Sequence, residues 1–367
     1  MYMMKIITTA LLIFLLGNMP VISSENITEN SSILPEYFNY RDIDGIDYTT
    51  PIKDQAPAPT CEAYALCAAL ETLIQFQTGE LFEPDLSDCH LYFYAGGTYE
   101  AGYVNLIDAA NYLVDHGVPD EGCYPDPHRA FDYPFQSVEG WENRTVKIQD
   151  WGWVDHDIES IKRALIDYGP LVICAWIWKD FNYYKQGVYK HRWGQLTGGH
   201  VMTIVGYDDS QQCWIVRNSW GTKWGDNGWF KLAYDAEMIT DKWYGEGSGI
   251  MYVDGVYGNF HPDVPKVYIE TPKIYKTYIF GMEIKTIIRK LPIQKGAARF
   301  FGNLQVKTIT ENSDKVEFYI DNELINVDYS PPFSCNMRPS RGLHTLEVRA
   351  YKNNNYSIDI RDIYMFF

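Results

Sequence analysis

Residues 64–74, "YALCAALETLI", put small or apolar side chains on nearly every face of whatever they form. A helix that is apolar all round has to be buried all round, so the remaining chain must be built about this segment. Thr60 can serve as N-cap and Glu62 as a first-turn acid. The run then meets no breaker before Gln77, and Gly79 predicts its stop. One residue is unusual there. Cys61 stands in the first turn, where the helix dipole and unpaired backbone amides favour a thiolate.

Around this segment the elements segregate. "NLIDAANYLVDH" (105–116), closed by Gly117, predicts an amphipathic helix, and "DIESIKRALIDYG" (157–169) predicts a third. From about residue 171 the pattern turns to β-branched and aromatic runs separated by Gly, Asp and Asn: "LVICAWIW", "HVMTIVGYD", "CWIVRNSW" and "GWFKLAY". Helices first and strands later define an α+β class. The opening "LPEYFNYRDIDGIDYTTPIKDQ" reads as an irregular wrapping segment, and Asp42-x-Asp44-Gly45 within it reads as a turn.

At 367 residues the chain has room for two domains. A boundary is expected near 255–265, in "GVYGNFHPDVPK". Beyond it "KVYIETP", "VKTITE", "DKVEFYIDNELI" and "HTLEVRAY" predict a β-sandwich of short strands. Charge changes at the same place: residues 265–367 carry net +4, residues 1–264 net −21. The formal charge of −17 argues against nucleic acid or an anionic membrane as the main partner.

The N-terminus "MYMMKIITTALLIFLLGNMPVISS" has Lys5, an apolar core and then small residues, the layout of a signal peptide over 1–24. Residues 25–33 read as a short polar leader. With no second segment of spanning length, the mature protein is expected outside the cell, secreted or surface-associated. Sequons at Asn26, Asn30, Asn143 and Asn355 agree with export. Seven cysteines leave at least one thiol unpaired.

A thiolate that attacks an acyl carbon needs a proton donor for the leaving group. "GGHVMTIVGYDD" singles out His200, at the head of a buried strand behind two glycines. The next strand returns through "WIVRNSWGTKWGDNGWFKL" and brings Asn218 and Trp220 toward it. An amide can hold an imidazole in one orientation, and an indole can keep water off that bond.

Together these stretches resemble the papain-type cysteine proteases, over roughly Leu34 to Tyr257. The resemblance rests on "LPEYFNYRD", "IKDQ" six residues before Cys61, "LSDC", "YAGG", "DFNYYKQGVYKH" and the "NSWG…WG…GW" signature. Cys61 and His200 are 139 residues apart, similar to the family spacing. It implies a two-lobed fold, helical lobe plus β-barrel-like lobe, over 34–260. It also implies a nucleophile at Cys61, an acid/base at His200, an orienting amide at Asn218 and a cover at Trp220. The Gln55 side chain and Cys61 amide would form an oxyanion hole, and Gly96 and Gly97 would offer backbone hydrogen bonds to an extended peptide. Tyr99, Cys174 and Val201 fall where the family lines its main specificity pocket. No cofactor or metal is implied, and a peptide or protein is the expected partner.

The chain departs from the family at Pro59-Thr60-Cys61-Glu62, where Gly-Ser-Cys-Trp is usual. Thr60 is still expected to cap, and Glu62 to point to solvent as a dipole partner; turned inward instead, it would raise the Cys61 pKa. One family disulfide is lost at Ala58, while the resemblance implies a second between Cys89 and Cys123. Cys174 and Cys213 read as buried thiols. About ten residues separate the signal from "LPEYF", too few for a long pro-segment. Latency is therefore expected from docking of the basic C-terminal half. That half, 265–367, resembles the immunoglobulin-like domains of microbial surface proteins, with an adhesion, spacer or substrate-presenting role and a cell-surface or polymer partner. Alternatives to a secreted endopeptidase are an inactive peptide-binding or adhesive protein, and an acyltransferase or amidase using the same triad.

Overall fold

The all-apolar segment forms a helix, Cys61–Thr78 (α1), whose residues from Cys61 through Gln75 are buried. Gly79 closes it in the left-handed region, φ 69°, and donates its N–H to the Gln75 carbonyl. The structure is a computed structural model that describes residues 34–98, 101–126, 136–240, 249–260, 263–284 and 296–367. The expected signal peptide, the expected leader with Asn26 and Asn30, and Tyr99 lie outside the described residues. Pro35–Phe367 forms one compact unit.

Among the described residues three further α-helices follow α1 in chain order: Asp88–Tyr94 (α2), Leu106–Asp115 (α3) and Ile158–Asp167 (α4). Asn105 and Asp157 cap the last two by accepting the Ile107 and Ser160 amides, as Asx side chains do at helix starts. α2, with Ser87 as its cap, was not foreseen. Its "HLYFY" is short and aromatic, and carries no helical period to read.

One eight-stranded sheet builds the second half of this region. Its order is Asp150–Val154, Ile250–Asp254, Leu171–Trp178, Leu196–Asp208, Cys213–Arg217, Trp229–Ala233 and Val188–Tyr189, with Tyr37–Asn39 added on the Leu196–Asp208 strand. One apolar core gathers α1, α2 and α3, and another fills the sheet side around Trp214, Phe181 and Phe230. α1 is tied to the sheet by the Thr203 hydroxyl, which donates to the Ala65 carbonyl at 2.9 Å. The register sets Ala175 opposite His200 and Cys174 opposite Val201, and the Val201 amide reaches the Cys61 sulfur at the start of α1. Asp44 and Gly45 form a tight turn with φ of 54° and 82°.

Beyond Lys266 the described residues form strands alone, in a three-stranded and a seven-stranded sheet that share one core, from Val267 and Leu304 to Phe318 and Val348. Thr277–Ile279, Ala298–Phe301 and Asn355–Met365 pair in parallel within the larger sheet. The half is therefore an all-β sandwich with a mixed sheet. It docks on the first half through Arg144. That guanidinium donates to Asp120, to the Tyr356 carbonyl at 2.8 Å and to the Ser357 hydroxyl at 2.9 Å. Cys123, Val138, Ile358 and Ile360 bury a small apolar cluster beside it.

Two expectations fail here. Cys89 and Cys123 are free thiols, like the other five cysteines; the Cys123 sulfur faces Asp120 Oδ2 at 3.8 Å, inside the Asp120–Arg144 pair. Thr60 precedes α1 but makes no side-chain cap, and its buried Oγ1 has no partner.

Candidate active site

His200 is buried and its Nε2 lies 2.8 Å from Asn218 Oδ1. The same oxygen accepts the Ser219 amide at 2.7 Å, which fixes the amide and with it the ring. Trp220 stacks on the imidazole, centroids 4.8 Å apart and planes 28° off parallel, shielding the bond from water. Nδ1 is the ring nitrogen left for chemistry.

The Cys61 sulfur is reached by the backbone N–H of Val201, the residue after His200. Gln55 is held from three sides. Its amide donates to the Ala58 carbonyl at 3.0 Å, its carbonyl oxygen accepts the Ser219 hydroxyl at 2.6 Å, and its backbone N–H bonds the Ser219 carbonyl. One Nε2 hydrogen is thereby used and the second remains for a ligand. Sequence reasoning missed Ser219, although it sits between Asn218 and Trp220 in the signature. It holds both amides.

Gly97 is required by space. A Cβ there would meet the Tyr92 carbonyl and ring at 2.7 Å. The N–H groups of Gly96 and Gly97 donate to the Phe93 and Tyr92 carbonyls, so the expected donors to a peptide are occupied within the loop. Cys174 and Val201 are buried neighbours across two strands.

Glu62 takes the inward of its two expected placements, and the solvent-facing one fails. It turns inward, 4% exposed, and Cys61 Sγ donates to its Oε2 at 3.5 Å. The Val104 amide also donates to this carboxylate. Burial pushes Glu62 up to about 7. Burial first, and then Glu62, hold the Cys61 thiol well above its usual range. Burial pushes His200 down to about 4, partly opposed by the Asn218 bond. Desolvation and the adjacent acid thus both work against the expected thiolate, in opposition to the helix dipole.

Among the described residues no group of three or more His, Cys, Asp or Glu is arranged to hold a metal. A cavity of about 440 Å³ lies elsewhere, lined by Lys53, Asp88, Glu121, Arg144, Tyr268 and Asp359 among others. It holds none of Cys61, His200 or Asn218, and joins the two halves.

A helical and a sheet half with a thiol, an oriented imidazole and amide donors between them define a thiol-dependent hydrolase. The family model for papain family cysteine proteases matches residues 34–245. The chain is 28% identical over 231 residues to Cathepsin B-like CP1 of Giardia intestinalis, covering 59% of this chain and 74% of that one. It is 42% identical over 236 residues to Cathepsin B-like cysteine proteinase 6 of Caenorhabditis elegans, covering 54% and 62%. Its fold is similar to that of xylellain, a cysteine protease from Xylella fastidiosa, with a TM-score of 0.50 at 21% identity, covering 61% of this chain and 88% of that one. The chain belongs to the papain family and is a cysteine peptidase. No described helix is long and apolar enough to cross a membrane.

Proposed function

We propose that Cys61 is the nucleophile of a secreted endopeptidase and His200 its acid and base. The observation that carries this is the buried His200–Asn218 bond under Trp220, with the Cys61 sulfur on the adjoining Val201 amide. As a peptide carbonyl arrives, the thiol proton passes to His200 Nδ1 and the sulfur–carbon bond forms. The carbonyl π electrons move to oxygen, where the free Gln55 Nε2 hydrogen and the Cys61 N–H receive them. Preorganised donors of this kind are worth about 3–4 kcal/mol each in a transition state. His200 then gives its proton to the leaving amine as the C–N bond breaks. Water, deprotonated by His200, adds to the acyl carbon; as the C=O bond re-forms the C–S bond breaks, His200 returns its proton to the Cys61 sulfur, and the acid is freed. The carbonyls of the Gly96–Gly97 loop carry the main-chain pairing to substrate, since the loop's own N–H groups are occupied.

The test is labelling of full-length protein with an epoxide-type thiol inhibitor, with Cys61→Ala as control, followed by peptide-library cleavage. Labelling and cleavage, both lost in the variant, support the reading. Glu62 against the sulfur favours a second reading, an inactive peptide binder that keeps the cleft, which failure to label Cys61 would support. Labelling without cleavage points to an acyltransferase or amidase. Finer assignments belong to the same proposal: an immunoglobulin-like identity for the C-terminal half, a surface or polymer partner for it, and export directed by residues 1–24. The Asn143 and Asn355 side chains are themselves exposed, which supports export, although Thr145 and Ser357 of the same sequons are buried.

A further inference from the structure

Glu62 occupies a place that nothing in the reaction scheme uses. It is the residue after the nucleophile, it is buried, and its carboxylate touches the reacting sulfur at 3.5 Å. The titratable groups that face it are Cys61 on its own helix, Cys174 from the strand Leu171–Trp178, and Tyr92 from α2. None carries positive charge in any protonation state. The one donor outside α1 is the Val104 amide. An acid so placed has two states with opposite effects on the thiol. Ionised, it accepts the S–H bond and repels a thiolate. Protonated, it gives up that bond and the repulsion with it.

We propose that Glu62 is a positioning residue that gates the nucleophile: its charged form holds the Cys61 proton away from His200, and its neutral form releases the sulfur for transfer to Nδ1. The inference rests on the reading of Cys61 as nucleophile. Catalysis is then favoured on the acid side, and Glu62 sets the alkaline limb. Burial places that limb near pH 7. The proton balance is closed within the site. On acidification solvent supplies one proton to the Glu62 carboxylate, and the thiol keeps its own until His200 takes it.

The experiment is the pH dependence, from 4 to 9, of Cys61 alkylation by iodoacetamide and of kcat/KM on a peptide substrate. Full-length wild type, Glu62→Gln and Cys61→Ser are compared. In wild type, alkylation should flatten or fall between about pH 6.5 and 8, where an unhindered thiol speeds up. In Glu62→Gln the rate at pH 8 should exceed wild type about tenfold or more, with near equality at pH 5. Its alkaline limb in kcat/KM should move up by about one unit. A wild-type alkylation rate that climbs steadily through pH 8 overturns the gate without any variant. Superimposable profiles for wild type and Glu62→Gln overturn it as well. Labelling and turnover that survive Cys61→Ser would instead overturn the nucleophile reading.

Discussion

Helix α1 carries two buried acids, nine residues apart, in very different company. Glu71 is fully satisfied. It accepts the Lys53 ammonium and the Leu86 amide at 3.0 Å each, and the Thr50 hydroxyl. Lys53 in turn binds Asp85 and Asp88 at 2.8 and 2.9 Å. Glu62 has a thiol and a backbone amide from Val104 but no cation. Burying a carboxylate is costly unless it is paired. The first acid therefore locks the wrapping segment and α2 to the central helix, while the second, when ionised, places an unfavourable charge next to the Cys61 sulfur. A buried carboxylate with hydrogen bonds but no cation, set against a thiol, is a candidate for a chemical role.

The largest effect should come from the satisfied acid. Lys53→Met leaves Glu71 and Asp88 buried without their cation and should cost about 3–5 kcal/mol of stability, read by chemical denaturation at pH 7. A loss under 1 kcal/mol would erase the contrast. Glu62→Gln should do the reverse. An acid whose folded value is raised keeps its proton longer in the native state, so its cost sets in above the unfolded value of 4.5 and is complete above pH 7. The variant should be more stable than wild type by about 1–3 kcal/mol at pH 8 and equal to it at pH 4. Denaturation midpoints at both values decide.

Two smaller changes probe the site alone. Asn218→Ala releases the His200 ring and should lower kcat about tenfold to a hundredfold, with KM within about twofold. Steady-state kinetics check it, and an equal rise in KM would assign Asn218 to binding. Trp220→Phe keeps an aromatic cover and should cost about threefold in kcat, less than 1 kcal/mol.

Much of this was legible because local rules and burial agreed. The span of α1, its glycine stop, and the Asn105 and Asp157 caps follow from side-chain chemistry within a few residues. His200 and Asn218 were legible from the motif, and their contact adds the distance. What escaped depends on partners far along the chain. Nothing near Glu62 foretells that an amide 42 residues on, at Val104, draws its carboxylate inward. The Thr60 hydroxyl looked like a cap and is buried unbonded. α2 is too short and aromatic for its period to show. The late strands were readable one by one, whereas their parallel pairing is a property of the whole sheet.

Arg144 has a consequence for anyone dividing this chain. Its guanidinium is 7% exposed, and half its bonds end on Tyr356 and Ser357 near the far terminus. Gly122 meets Ser357 so closely that a Cβ there would lie 2.7 Å from its hydroxyl oxygen. A peptidase shortened after residue 260 would expose a stranded cation and a bare apolar patch at Cys123 and Val138. The Asn355–Met365 strand thus behaves as a keystone of this seam, and losing it should loosen the seam long before it touches the cleft.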